Sequence, residues 1–359
     1  MPLFVRKKFD MEVKQKDVAK TLSPTKVIIP TLFGIAVVVY MFVTKVNYDD
    51  LVNNLIHANF LWLVFAVLVL LGRDAGYIYR IKKLSDDTLD WKSSLYIIIL
   101  WEFASAATPS VVGGTAVAVF ILNREGLPMG KALALVMLTA LLDNSFFILA
   151  APLAIFGVNA MGLDVFPKMD IGQAAEGGLF FLFGVSYGLI AIYTVFFAFG
   201  LFVMPHHFKR FLMWVTKIKF LKKWRRNAEV LGEDVIIASQ ELKGKPLGFW
   251  ASAVLSTLFV WIARYFMLNC VMSAFTDVTI TEHFHIFARQ IALWIVMLVS
   301  PTPGSSGTAE LAFAIFYEQF LGSFSSAVAL FWRLFYYYPY LFLGAIFLPY
   351  WFKRISEKK

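Results

Sequence analysis

The chain has 359 residues, 59% of them hydrophobic and only 16% charged, with a formal net charge of +9. So apolar a balance excludes a soluble globular domain, and 37 Phe and 10 Trp suit a lipid-facing surface with interfacial aromatic anchors. Continuous apolar blocks exclude a β-barrel, whose strands are short and alternate, and the single cysteine, Cys270, excludes an internal disulfide or a thiolate metal cluster.

Residues 1–26 form a basic, polar tail, and an apolar run begins at Val27. No small-residue cleavage site closes that run, which predicts a retained first span and not a removed signal peptide. The apolar blocks are about 27–44, 57–79, 94–122, 131–156, 178–204, 247–273, 285–317 and 326–351. A full span needs about 20 apolar residues. The third and seventh blocks are longer and are broken by "ATPSVVGGTA" (107–116) and "SPTPGSSGTA" (300–309). Each predicts either one bent span or a re-entrant pair of half-helices.

Positive charge discriminates between these. If both broken blocks enter and leave on one side, the cytoplasmic segments are the N-terminal tail, 80–92, 124–131, 205–246 and the C-terminal tail. They then hold 27 of the 33 Lys and Arg, including Arg80 and Arg354. If each block spans once, the most basic internal loop, 205–246, faces outward, against the positive-inside rule. The expected fold is therefore an all-α polytopic membrane protein with about six full spans and two re-entrant or broken helical hairpins. Both termini are expected in the cytoplasm, and the cytoplasmic (inner) membrane is the expected location. The domain layout is a tail (1–26), one transmembrane domain (27–351) and a second tail (352–359). Within the domain, repeats 27–156 and 178–351 have opposite orientation, an inverted repeat of the kind used by secondary transporters. Spacing agrees: Arg73 to Asp143 is 70 residues and Arg264 to Arg333 is 69, with Pro109 and Pro303 between, each followed by Gly-Thr-Ala.

Broken backbone at membrane depth survives only where protein or a water-filled cavity surrounds it. Half-helix N-termini there suit an anionic group. Charged groups in a bilayer are expensive and usually face a cavity or a partner. The deep candidates are Arg73, Asp74, Glu102, Asp143, Arg264, Arg289, Glu310 and Arg333. The arginines are expected to bind a lipid phosphate by charge-assisted bonds, and the carboxylates to hold a cationic group or a coupling proton. The competing reading makes Asp143–Arg333 and Arg73–Asp74–Glu102 ion pairs that fix helix packing. Thr108, Ser110, Thr115, Ser300, Thr302, Ser305, Ser306 and Thr308 crowd the breaks, either to satisfy freed backbone groups or to line a headgroup site.

Within 205–246, Phe208, Phe211, Leu212, Val215, Ile218 and Leu221 fall at helical spacing among Lys and Arg. This predicts an amphipathic helix on the inner leaflet, with a solvated connector as the alternative. His206, His207, His283 and His285 lack the three or four convergent ligands of a metal site. Asp164 and Asp170, in the longest outer loop, are the residues an enzyme reading would use. No Gly-rich phosphate loop is present, and no nucleic-acid module is recognised.

The segments "EFASAATPSVVGGTAVAVFILNREGLPMGKALALVML" (102–138) and "SPTPGSSGTAELAF" (300–313) carry a resemblance. The chain, over roughly 25–350, resembles the flippase-like integral membrane family that includes the transmembrane region of lysylphosphatidylglycerol synthase. The resemblance implies movement of an aminoacylated phospholipid between leaflets, with relatives linked to glycolipid assembly. By motif position, Pro109, Gly113, Gly114, Arg124, Pro303, Gly304, Gly307 and Glu310 are the family-type residues. Two departures stand out. The chain ends at Lys359 without a soluble aminoacyl-transfer domain, so it is not expected to make aminoacylated lipid itself. The second motif reads "PGSSGTAE", with serines where another glycine and an apolar residue are expected.

The expected function is translocation of a phospholipid or lipid-linked headgroup by alternating access at a midplane site between the hairpins, without enzymatic activity and without a cofactor. The expected substrate-binding residues are Arg73, Glu102, Thr108, Pro109, Gly113, Gly114, Asp143, Arg264, Pro303, Gly304, Gly307, Glu310 and Arg333. Expected partners are membrane lipids with an anionic or aminoacylated headgroup and a separate lipid-modifying enzyme, but no nucleic acid. Neutralising Arg264 or Glu310 is expected to remove translocation without unfolding the chain. The alternative is a membrane glycosyltransferase using a polyprenyl-phosphate-linked donor.

Overall fold

The computed structural model describes residues 36, 39–40, 43–44, 48–107, 111–167, 173–218, 220–298, 305 and 308–357. Within α-helices at 111–113 and 173–177 it describes the backbone alone. The first expected span, 27–44, lies almost wholly outside the described residues. Among the described residues every regular element is helical: α1 (Tyr48–Ile56), α2 (Phe60–Leu84), α3 (Trp91–Ala107), α4 (Val111–Arg124), α5 (Met129–Ala160), α6 (Gln173–Phe202), α7 (Pro205–Val215), α8 (Arg225–Leu242), α9 (Leu247–Phe275), α10 (Ile280–Met297), α11 (Thr308–Leu321), α12 (Ser325–Tyr336) and α13 (Tyr338–Glu357). Five stretches are long and apolar enough to cross a membrane: Phe60–Leu84, Met129–Ala160, Gly178–Phe202, Leu247–Phe275 and Thr308–Glu357. At 1.5 Å per residue, the 25 residues of α2 reach about 38 Å, more than the hydrocarbon core of a bilayer.

Local chemistry sets the ends of these helices. Asn59 caps α2 by accepting the Leu61 N–H, while its own N–H donates to the carbonyl of Ala274 at the end of α9, 2.8 Å away. Thr279 opens α10 with a reciprocal capping box to Glu282. Pro128, Pro205 and Pro246 stand at the starts of α5, α7 and α9, where a missing N–H costs nothing. Pro152 inside α5 cannot bond back to Ile148, and the Tyr187 hydroxyl of α6 donates to that carbonyl instead, at 2.9 Å.

The central seam is α2 against α9, with contacts along most of their length. Gly76 makes this approach close: a Cβ there would meet Phe259 at 2.7 Å and Val260 at 2.9 Å. α3 packs on α4 across the first break, and α13 packs along α3. Gly114 sits against Ser105 across the α3–α4 contact, with space for a Cβ closed by Ser105 Oγ at 2.5 Å. Gly344 on α13 is in the same way pressed on Phe103 of α3. Across the second break α10 packs on α11, held where Tyr317 donates to the Ile286 carbonyl at 3.2 Å.

Three features differ from the sequence expectations. The block 326–351 is not one straight span: α12 ends at Tyr336 and α13 restarts at Tyr338, with Tyr337 (φ −126°, ψ −56°) outside helical geometry. Pro339 has no N–H to donate to the Phe335 carbonyl, so the hydrogen-bond ladder of α12 cannot run on unbroken into α13. The expected amphipathic helix in 205–246 is two helices, because α7 stops at Val215 and α8 begins only at Arg225. Thr216 is bonded through its hydroxyl to Leu212 at the stop, a local bond that competes with helix continuation. Third, α2 runs on to Leu84, past the end of the apolar block at 79, because Ile81 and Leu84 continue its buried face.

Candidate functional site

Helical spacing puts Arg73, Tyr77 and Arg80 on one stripe of α2, at i, i+4 and i+7. Thr257, Trp261 and Arg264 form the facing stripe of α9. The seam between two lipid-length helices is therefore lined by three guanidinium groups. Burying a guanidinium costs several kcal/mol unless a carboxylate and further hydrogen bonds offset it, and each of these has such a partner. Arg73, fully buried, donates from Nε (3.1 Å) and Nη2 (2.7 Å) to Asp74 Oδ1. Tyr340 of α13 closes the group by a bond with Arg73 and by donating to Asp74 at 2.8 Å. Arg80, 2% exposed, donates to Asp143 of α5 at 2.6 Å and to the Thr257 hydroxyl at 3.3 Å. The Trp261 indole N–H also donates to Asp143, at 2.9 Å.

Arg264 is held more loosely. Its Nη2 lies 3.6 Å from Glu102 of α3, and both side chains keep some accessibility, 14% and 18%. Nη1 donates to the Tyr77 hydroxyl at 3.1 Å, and the group stacks over Tyr336 (4.5 Å) and Trp261 (5.2 Å). Arg73, Glu102, Arg264 and Tyr336 lie within electrostatic reach of one another. Arg73 Nη1, Arg80 Nε and Arg264 Nε are buried donors without a hydrogen-bond partner among the described residues. Unmet donors in a buried charged cluster are costly, and they are the groups that an oxygen of a bound headgroup would satisfy.

A second pair lies beside the second break. Glu310, in the first turn of α11, is fully buried and accepts from Arg333 Nε of α12 at 2.7 Å. Arg333 also stacks on Tyr337 (4.8 Å), whose hydroxyl donates to the Ala106 carbonyl at 3.2 Å. Ala106 belongs to the last turn of α3, beside the first break, so one chain of contacts links the two broken regions. Arg289 of α10 is coordinated by the carbonyls of Phe316 and Asp164, by Gln319 at 2.7 Å and by His285 at 3.0 Å, a set that ties α10 to α11 and to the 161–167 loop.

The structure thus gathers Arg73, Glu102 and Arg264 in one cluster, with Asp143 one side chain away through Trp261. Asp143 and Arg333 do not pair with each other: Asp143 pairs with Arg80 and Arg333 with Glu310. Glu102 likewise pairs with Arg264, leaving Asp74 to Arg73. Two residues assigned to cytoplasmic segments by charge counting are structural partners: Arg80 within the seam, and Arg354, which donates to buried Glu125 and to Ser93 at 2.9 Å each. Gly114 has a packing role at Ser105. Thr108, Pro109, Pro303, Gly304 and Gly307 lie outside the described residues, as do Ser110, Ser300, Thr302, Ser306 and Asp170, and Gly113 is described by its backbone alone. Thr308 donates to the Ser305 carbonyl at 3.0 Å, the backbone-satisfying role expected near a break. Sequence reasoning missed Tyr77, Arg80, Trp261, Tyr336 and Tyr340; the available signal was polar and aromatic residues recurring at helical spacing around Arg73 and Arg264.

A bundle of long apolar helices closed around buried arginine–carboxylate pairs defines a multi-pass α-helical membrane protein with a polar centre. The chain belongs to the family described as Lysylphosphatidylglycerol synthase TM region, which matches residues 27–344. It is also 27% identical over 331 residues to a UPF0104 membrane protein of Archaeoglobus fulgidus, across 89% of this chain and 95% of the relative. No solved structure matches it. The central seam, both broken regions and every candidate residue fall inside the matched range.

Proposed function

We propose that this protein moves a phospholipid or lipid-linked headgroup between the leaflets of the cytoplasmic membrane, without making or breaking covalent bonds. One observation carries the proposal: the α2–α9 seam holds guanidinium donors of Arg73 and Arg264 unmet among the described residues, beside the loosely held carboxylate of Glu102. A phosphate would accept from the two arginines, and Glu102 would hold a cationic group on an aminoacylated headgroup. Acyl chains would stay in lipid. The two broken regions would be re-entrant hairpins from opposite sides, both termini would be cytoplasmic, and rocking of one inverted repeat on the other would alternate access. The family membership supports this reading. The contact chain from Glu310 through Arg333 and Tyr337 to Ala106 supports coupling between the two halves.

The test starts from protein purified in mild detergent, with co-purifying lipids identified by mass spectrometry beside the Arg264→Gln variant. A lipid class enriched over the bulk membrane and lost in the variant supports the site and supplies the substrate for leaflet exchange in proteoliposomes. Equal exchange by wild type and variant at equal incorporation overturns it. Sugar transfer by the purified protein, dependent on Asp164, would replace it with the glycosyltransferase reading.

A further inference from the structure

The segment between α6 and α8 is not used by the proposed site. α6 leaves the apolar region at Phe202, and α7 begins at Pro205, so α7 starts at the membrane boundary. Phe208 is buried against Gly200, which pins α7 to the end of α6. Lys209 bonds Glu233 at 3.1 Å and lies over Gly232, which pins α8 to α7. With these inner faces occupied, the outer face is left with Phe211, Trp214, Ile218, Phe220 and Trp224, all exposed, Phe220 at 87%. Interleaved with them are the exposed cations Arg210, Lys217, Lys222, Lys223, Arg225 and Arg226. From Pro205 to Ala228 the sequence contains no Asp or Glu.

We infer that this face docks on an anionic lipid surface, with the aromatic side chains inserted at headgroup level and the cations on lipid phosphates. Charge complementarity selects that occupant. Large apolar side chains alone would suit any lipid, and cations alone would suit any polyanion; the alternation of the two, next to the end of a span, suits an anionic leaflet.

The full chain, reconstituted in vesicles, carries a spin label at Ile218→Cys; buried Cys270 leaves the unsubstituted chain as the blank. Collision with lipid-soluble oxygen and a water-soluble nickel chelate reports depth. In vesicles of phosphatidylcholine with phosphatidylglycerol the label is expected in lipid, and in phosphatidylcholine alone it is expected in water. Each cation neutralised among Lys217, Lys222, Lys223 and Arg225 is expected to weaken docking about fivefold. A label equally deep in lipid in both vesicle types overturns the proposal and leaves an uncharged apolar anchor. A label that stays in water in both, with an added oligonucleotide binding the chain, overturns it in favour of a soluble polyanion.

Discussion

Arg264 and Glu310 carry different risks when neutralised. Arg264 faces a carboxylate at 3.6 Å in a partly accessible setting, so Arg264→Gln leaves Glu102 able to recruit water. We expect that variant to keep its thermal midpoint in detergent and to lose lipid enrichment. Glu310 is buried against Arg333, and Glu310→Gln removes a carboxylate charge from beside a buried guanidinium. That change is expected to cost about 3–5 kcal/mol of stability, whereas Glu310→Gln with Arg333→Gln recovers most of it. Unfolding of the three chains in detergent checks this, and a single variant as stable as wild type would show that the pair does not hold the fold.

At the scale of elements, packing in the apolar bundle uses glycines that let helices touch. Gly76 brings α2 onto α9, Gly114 brings α4 onto α3, and Gly344 brings α13 onto α3. In lipid, helices associate by close packing and not by a hydrophobic force between them, so small residues at these contacts matter. Gly76→Val is expected to destabilise by about 1–3 kcal/mol through overpacking against Phe259 and Val260, and to displace Arg73 from Tyr340. A loss of lipid enrichment together with a lowered thermal midpoint is the expected reading. The control is Gly72→Ala, where a Cβ meets nothing within 4 Å and stability should not fall.

For the whole molecule, Asp86 joins three distant segments. It follows α2 and accepts from Lys245, before α9, at 2.5 Å and from Lys131 of α5 at 3.3 Å. Burial works to raise its carboxyl pKa, but the Lys245 and Lys131 ammonium groups outweigh it and hold the group below its usual 3.8. A carboxyl depressed by folding contributes stability above its unfolded pKa and loses it as pH falls through the lower folded value. The junction is partly exposed, so that contribution is roughly 1 kcal/mol or less. Asp86→Asn is expected to lower the unfolding midpoint slightly at neutral pH, and the difference from wild type is expected to vanish in acid, once pH has fallen through the lowered carboxyl pKa of the folded chain. A wild-type advantage that persists in acid would rule out this carboxylate as its source.

Membrane class and helix content were legible in the chain itself, as was the cost of burying the charges of Arg73, Glu102 and Arg264 without partners. They rest on properties that act locally: apolar length, Pro and Gly chemistry, and the cost of a charge in lipid. The partners were not legible. Asp143 was matched to Arg333 by repeat spacing, but Arg80 reaches it first, because α2 outlasts its apolar block by a turn and carries that guanidinium into the seam. Tyr77, Tyr336 and Tyr340 were not singled out at all, and it is the return of α13 along α3 that places Tyr340 on Arg73. Sequence alone determined which groups are too costly to leave unpaired in a bilayer; only the tertiary structure decided which helix brings each its partner, because that choice depends on contacts between residues as far as 267 positions apart.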